Sequence, residues 1–245
     1  MTSGDGSAEK ANDGLSAPAT AAAALVFDGV SVRYRHGTEL ALRDCSFSLD
    51  AGSRTALVGS NGSGKTTILL TAVGLLQHQG SVRVDGLPVS ASNLRLIRNG
   101  IGCLFANPED QILFSRVLDD VAFTLVARGV APHEAREEAR SALQRLGIPE
   151  LADRSPYQMS HGQRLRAALA GALVSRPPLL LLDEPTSGLD RAGRLLLAAD
   201  LRELPSAMLI ATHDRELASS CCERYLKVED GRVVEEGTDF SAVEM

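Results

Sequence analysis

The sequence predicts an α/β fold, with a core of buried strands, an antiparallel β flap and a helical segment inserted between core strands. Three observations predict it. Residues 59–67, GSNGSGKTT, form a glycine-rich loop between a short apolar run and a helical stretch. LLLLD (179–183) and AMLIAT (207–212) are unbroken apolar runs, the pattern of central strands covered on both faces. Between about 115 and 172 the apolar residues recur at helical spacing instead.

The elements follow in order. Residues 1–24 are mostly small and polar, with almost nothing large enough to bury, so a disordered extension is expected there. They lack the basic start and apolar block of a secretory signal. From Leu25, LVFDGVSVRY (25–34) alternates apolar and polar residues as a half-buried strand does, and CSFSL (45–49) does so again. TALVG (55–59) is a short strand entering the glycine loop, and residues 65–76 read as the helix after it. SVRVDG (81–86) reads as one arm of a hairpin. HEAREEARSALQRLG (133–147) puts Ala135, Ala139, Ala142, Leu143 and Leu146 on one helical face, and Gly147 and Pro149 stop it. YLKVEDGRVVEEG (225–237) reads as a closing hairpin turning at Asp230–Gly231, leaving residues 238–245 as a short tail.

Bulk properties narrow the function classes. A chain of 245 residues with 44% apolar content is long enough for one large domain or two small ones. Its net charge of −6 argues against nucleic acid as a partner, because affinity for a polyanion comes from clustered Lys and Arg. None of Cys45, Cys103, Cys221 and Cys222 stands at C-x-x-C spacing, and the adjacent pair is poorly suited to a disulfide. Reduced thiols in a cytosolic protein are therefore expected. The most apolar stretch, residues 165–182, is broken by Arg166, Arg176 and two prolines, so no membrane span is expected.

The chemistry concentrates in four places. In GSNGSGKTT the glycines let successive N–H groups from Ser60 through Asn61, Gly62, Ser63 and Gly64 to Thr67 turn inward as an anion nest, reinforced by the helix N-terminus. Lys65 then reaches the β- and γ-phosphates of a nucleotide, and the Thr66 hydroxyl faces Mg²⁺. At the end of LLLLDEP, Asp183 is suited to hold Mg²⁺ through its water shell, and Glu184 to polarise an attacking water. His213, in ATHD, is either a contact to the γ-phosphate or a surface histidine. In MSHGQRLRAALAGAL (159–173), Ser160 and Gln163 have the S-x-x-Q spacing of a capping box, and Gly162 sits within the first turn. A serine beside a histidine raises the question of a nucleophile. Adjacent residues are poorly placed for that, and the G-x-S-x-G elbow is absent, so a second phosphate-binding N-terminus is the better reading.

Taken in order, GSNGSGKT, MSHGQ, LLLLDEP, SGLD (187–190) and ATHD resemble the motif set of ATP-binding cassette (ABC) ATPases. The resemblance spans residues 25–237 and implies the P-loop NTPase fold of that family, with a RecA-like core sheet, an antiparallel β subdomain and an α-helical subdomain at about 115–172. It further implies a head-to-tail dimer holding two ATP molecules. Ser160, Gly162 and Gln163 of one subunit would close on the γ-phosphate held by Lys65 of the other. Asp190 would communicate across that interface, and Tyr34 would stack on adenine.

LFANPEDQILFSRVLDDVAF (104–123) is similar to the corresponding segment of ATPase subunits of energy-coupling factor (ECF) importers, which take up cobalt, nickel or vitamins. That similarity implies three kinds of partner: a second ATPase subunit, identical or paralogous, a transmembrane T-type subunit and a substrate-specific S-type subunit. It also implies a peripheral position on the cytoplasmic face of the membrane. Cobalt or nickel is the first expectation for cargo, and biotin or another vitamin the alternative. Glu109 and Asp110, beside Ile112, Leu113 and Phe114, suit the dock for the membrane partner. Two positions depart from the pattern. Ala106 replaces a glutamine, so metal binding is expected to lean on Thr66 and Asp183, with Gln111 as an alternative substitute, and hydrolysis to be slower. His161 replaces a glycine and is expected to point outward. A soluble ABC protein acting on DNA or the ribosome, and a nucleotide-binding regulator, are the rival readings.

Overall fold

The computed structural model describes residues 23–35 and 37–243. The extension expected over residues 1–24 lies outside the described residues except for Ala23 and Ala24, which open the first strand. β1 (Ala23–Arg33) pairs antiparallel with β2 (Leu40–Asp50), and β3 (Arg54–Val58) runs into α1 (Lys65–Ala72). β4 (His78–Val84) returns beside β1 and turns through Asp85 and Gly86, both at positive φ, into β5 (Leu87–Pro88). α2 (Leu94–Gly100) and β6 (Ile101–Leu104) lead to the helical subdomain of α3 (Val117–Ala127), α4 (Pro132–Arg145) and α5 (His161–Leu173). Then come β7 (Leu179–Asp183), α6 (Arg191–Arg202), β8 (Ala207–Ala211), α7 (Arg215–Cys221) and the hairpin β9 (Arg224–Glu229) with β10 (Arg232–Gly237).

Two sheets result. The antiparallel sheet has the order β2-β1-β4-β5, and the larger one β10-β9-β3-β8-β7-β6, with β9, β3, β8, β7 and β6 parallel. Strand alternation divides the interior. Leu180, Leu182, Met208 and Ile210 face the helical side with Leu118, Val121, Leu165 and Leu169. Leu179, Leu181, Leu209 and Leu57 face the antiparallel sheet, where Leu25, Phe27 and Leu42 meet them. Each such leucine contributes about 1.5–3 kcal/mol by leaving water, so the apolar runs at 179–183 and 207–211 anchor the carboxyl edge that carries the chemistry.

Local geometry explains where the elements differ from the sequence reading. α1 stops at Ala72, short of residue 76, because Gly74 takes φ +68 and its N–H bonds back to Thr71 O at 3.0 Å. β2 begins at Leu40, before the alternating stretch. Asp44 (φ +51) and Gly29 (φ +60) make a bulge in the β1–β2 pairing that breaks the alternation. β6 has only four residues and includes Gly102, whose missing Cβ would stand 2.4 Å from Ala172 O. That glycine lets α5 lie close on the sheet. The closing hairpin turns at Asp230 and Gly231, both at positive φ. Beyond it, Phe240 and Val243 are buried, and the Arg215 guanidinium donates to the carbonyls of Phe240, Ser241 and Val243 at 3.0, 3.0 and 2.7 Å. No helix among the described residues is long and apolar enough to cross a membrane.

Candidate functional site

The carboxyl ends of β3, β8 and β7 stand side by side, and each delivers a functional group. After β3 the chain takes positive φ at Gly59, Gly62 and Gly64. At Gly59 no other residue fits, because a Cβ would stand 2.2 Å from Val228 O. Lys65 Nζ curls back onto the loop, donating to Gly59 O at 2.7 Å and Ser60 O at 3.1 Å. Burial pulls the Lys65 pKa below its ordinary value, against the pull of Glu184 and Asp183. Ser63 Oγ is buried with no partner among the described residues, a donor and acceptor left for something the loop surrounds. Ser60 and Asn61 are exposed at its rim.

The Thr66 hydroxyl donates to Asp183 Oδ2 at 2.7 Å, across the end of the intervening strand. Burial, joined by the neighbouring Glu184 charge, pushes the Asp183 pKa up, while Thr66 and Lys65 hold it down. A hydroxyl and a buried carboxylate so close form a donor set suited to a hard divalent cation. Gln111 does not join them. Its side chain accepts from Phe105 N at 3.1 Å and donates to Cys103 O at 2.6 Å, which favours the reading that metal binding leans on Thr66 and Asp183. Ala106 is exposed and brings no polar side chain.

Glu184 sits at φ +49, a left-handed conformation that costs a non-glycine residue about 1–2 kcal/mol. Its amide donates to Ala211 O at 2.8 Å, and the twist sends its carboxylate toward the end of β8. There His213 Nδ1 lies 2.9 Å from Glu184 Oε2, and Thr212 Oγ1 donates to the same oxygen at 3.4 Å. Strain of this kind concentrates at working sites. Thr212 was invisible as a site residue in the sequence, although its place in the ATHD segment was the available signal. Tyr34, 42% exposed just beyond β1, has its hydroxyl 3.1 Å from Thr67 Oγ1, which ties it to the phosphate-loop helix.

Ser160, Gly162, Gln163 and Asp190 form a second group. The capping box is complete: Gln163 N donates to Ser160 Oγ at 3.3 Å and Ser160 N to Gln163 Oε1 at 3.0 Å. Asp190 caps α6 by accepting from Gly193 N at 2.7 Å. The outward orientation expected for His161 is incorrect. Its ring lies over Gly188, where a Cβ would be only 2.4 Å from His161 Cδ2, and the residue is half-buried. Reciprocally, Leu189 packs against Gly162, with 3.0 Å from Leu189 Cδ2 to the position of a Cβ there. The SHGQ turn and the SGLD loop are thus interlocked. Among the described residues, no hydrogen bond joins Ser160, Gly162 or Gln163 to the Lys65–Glu184 group.

A groove of 660 Å³ opens between β6, α3 and α5, with Leu113, Phe123, Ala127, Arg128 and Gly171 on its walls. Leu113, Phe114 and Phe123 are exposed large apolar residues at or beside it, and the rings of Phe114 and Phe123 are 5.2 Å apart.

A phosphate loop, a Thr–Asp pair and a Glu–His pair on one sheet edge define a P-loop protein built to hydrolyse a nucleoside triphosphate. The chain belongs to the ABC transporter family, whose model matches residues 42–187, and it is an ATP-hydrolysing subunit. It is 43% identical over 216 residues to a putative ABC transporter ATP-binding protein of Gloeobacter violaceus, covering 87% of this chain and 88% of that one. It is 38% identical over 210 residues to the energy-coupling factor transporter ATP-binding protein EcfA1 of Latilactobacillus sakei, covering 84% and 75%. Among solved structures, cbiO1 of Clostridium perfringens, part of the ABC transporter complex cbiONQ, superposes with TM-score 0.76 at 34% identity, covering 88% of each chain. The cassette MJ0796, solved as a dimer in a post-hydrolysis state with ADP and Pi, superposes with TM-score 0.81 at 28% identity, covering 87% of this chain and 98% of that one.

Proposed function

We propose that this chain energises an ECF-type importer, with cobalt or nickel as the first cargo and biotin or another vitamin as the alternative. The apolar groove beside residues 104–123 carries this reading. It lies on the segment similar to ECF ATPases, and an apolar-walled trough of this size suits an inserted helix of a T-type membrane subunit. The EcfA1 and cbiO1 likenesses support the same branch.

Hydrolysis follows from the geometry. The phosphate loop binds the nucleotide, and Lys65 leaves its two carbonyl partners for the β- and γ-phosphates. Thr66 and Asp183 would hold Mg²⁺, which would supply charge neutralisation for the phosphates. Glu184 orients and polarises the attacking water, while His213 and Thr212 fix its carboxylate. Tyr34 stacks on the adenine. Ser160, Gly162 and Gln163 cover the γ-phosphate of a second cassette, identical or paralogous, with Asp190 on the same interface. The subunit sits on the cytoplasmic face with its T-type and S-type partners.

Co-expression of the chain with T-type and S-type subunits, followed by affinity purification and uptake of labelled cobalt, nickel or biotin, tests this. The expected result is a stable complex and ATP-dependent uptake of one cargo, both lost with Leu113→Glu in the groove. Complex formation unaffected by that substitution contradicts the docking reading.

A further inference from the structure

The first turn of α5 carries a residue that the site described so far leaves unused. Arg164 follows Gln163 directly, and its guanidinium lies 3.0 Å from Glu109 Oε1. A cation in the first turn opposes the helix dipole, so helix stability does not account for it. An ion pair whose carboxylate is half-exposed adds little to folding either. The arrangement makes sense as a mechanical link. Glu109 belongs to a bracket of residues 105–111 that is tied to itself and to the end of β6. Asn107 accepts from Glu109 N at 3.3 Å and donates to Asp110 Oδ2 at 2.8 Å, and Gln111 holds both Cys103 and Phe105. Gln111 and Leu113 line the apolar groove. This bracket therefore lines the groove on one side and, through the Glu109–Arg164 pair, meets the start of α5 on the other. Ala106, within the bracket, offers no polar group for such a link.

We propose that Arg164 is a positioning residue: through Glu109 it holds the Ser160–Gln163 turn in register with the groove-lining bracket. This rests on the reading above in which the opposing cassette is an identical copy.

Kinetics of Glu109→Gln, Arg164→Ala and the charge exchange Glu109→Arg with Arg164→Glu test it, with self-association followed by light scattering on a Glu184→Gln background. Each single change is expected to lower kcat about tenfold, leave KM for ATP within about twofold, and raise the concentration needed for ATP-driven self-association about tenfold. The exchange is expected to restore kcat to within about threefold of the starting protein. Glu109→Gln alters only the half-exposed partner, so the test stands even where an Arg164 variant unfolds. Single variants with unchanged kcat and self-association overturn the inference, as does an exchange that restores nothing. If those variants match a parent that does self-associate with ATP, the inference alone fails. A parent chain that binds ATP but never self-associates refutes that identical pairing, and the inference with it.

Discussion

Replacing Gly188 by alanine tests the interlock between the SHGQ turn and the SGLD loop. Two costs arise, and the structure separates them. Gly188 has φ +72, so any Cβ there pays the left-handed penalty of about 1–2 kcal/mol. That Cβ would also stand 2.4 Å from His161 Cδ2 and 3.1 Å from its Nε2, an overlap that requires the ring or the loop to shift, at about 1–3 kcal/mol. Gly188→Ala should therefore lose roughly 2–5 kcal/mol, which for a domain of this size is on the order of 4–20 °C in Tm. His161→Ala alone removes a half-buried ring and should cost less than about 1 kcal/mol. In the double variant the overlap is gone while the backbone and His161 costs remain, so it should be about 1–3 kcal/mol more stable than the sum of the two single losses predicts. Urea unfolding of the four proteins measures the cycle. If the double variant is no more stable than the sum of the two single losses predicts, the ring does not lie over the glycine and the interlock is wrong.

Three further outcomes follow from the geometry. Lys65→Ala removes the cation meant for the phosphates and should weaken ATP binding about 10–100-fold, read by titration of a fluorescent ATP analogue. Hydrogen bonding from Arg116, helped by Arg136, holds the Asp119 carboxyl down at about 2. The depressed folded value means its stabilisation is complete above the unfolded value of about 4 and is lost as pH falls toward 2. Asp119→Asn should accordingly lower Tm at pH 7, with the difference shrinking as pH falls through about 2. Burial pushes Cys45 up to about 11 and Cys103 up to about 12, so both thiols should react only slowly with iodoacetamide at pH 8 and readily in urea.

The chemistry-bearing strands were readable because both their burial and their motifs are local. LLLLD and AMLIA needed no tertiary information to be recognised as central strands, and GSNGSGKT fixes its own backbone. The capping box at Ser160 and Gln163 was likewise a three-residue spacing. What stayed hidden depends on contacts distant in sequence. β6 is four residues long and is specified by Gly102 against α5, and α6 and α7 were missed although Asp190 and Asp214 cap them. The left-handed turn at Glu184 has no sequence signature, because glutamate ordinarily avoids it. The direction of His161 was misjudged for the same reason: only the fold brings Gly188 beneath its ring. Arg164 carries no signal in the sequence, because only the fold brings Glu109 within 3.0 Å of it.

ATP hydrolysis by the purified chain, measured beside Glu184→Gln with light scattering, bears on the whole account. The predicted result is turnover by the parent chain, loss of about 10²–10⁴-fold in Glu184→Gln, and an ATP-dependent dimer trapped by that variant. A Glu184→Gln chain that hydrolyses as fast as its parent would remove Glu184 from the chemistry. A parent that neither hydrolyses ATP nor dimerises with it would contradict pairing of this cassette with an identical copy.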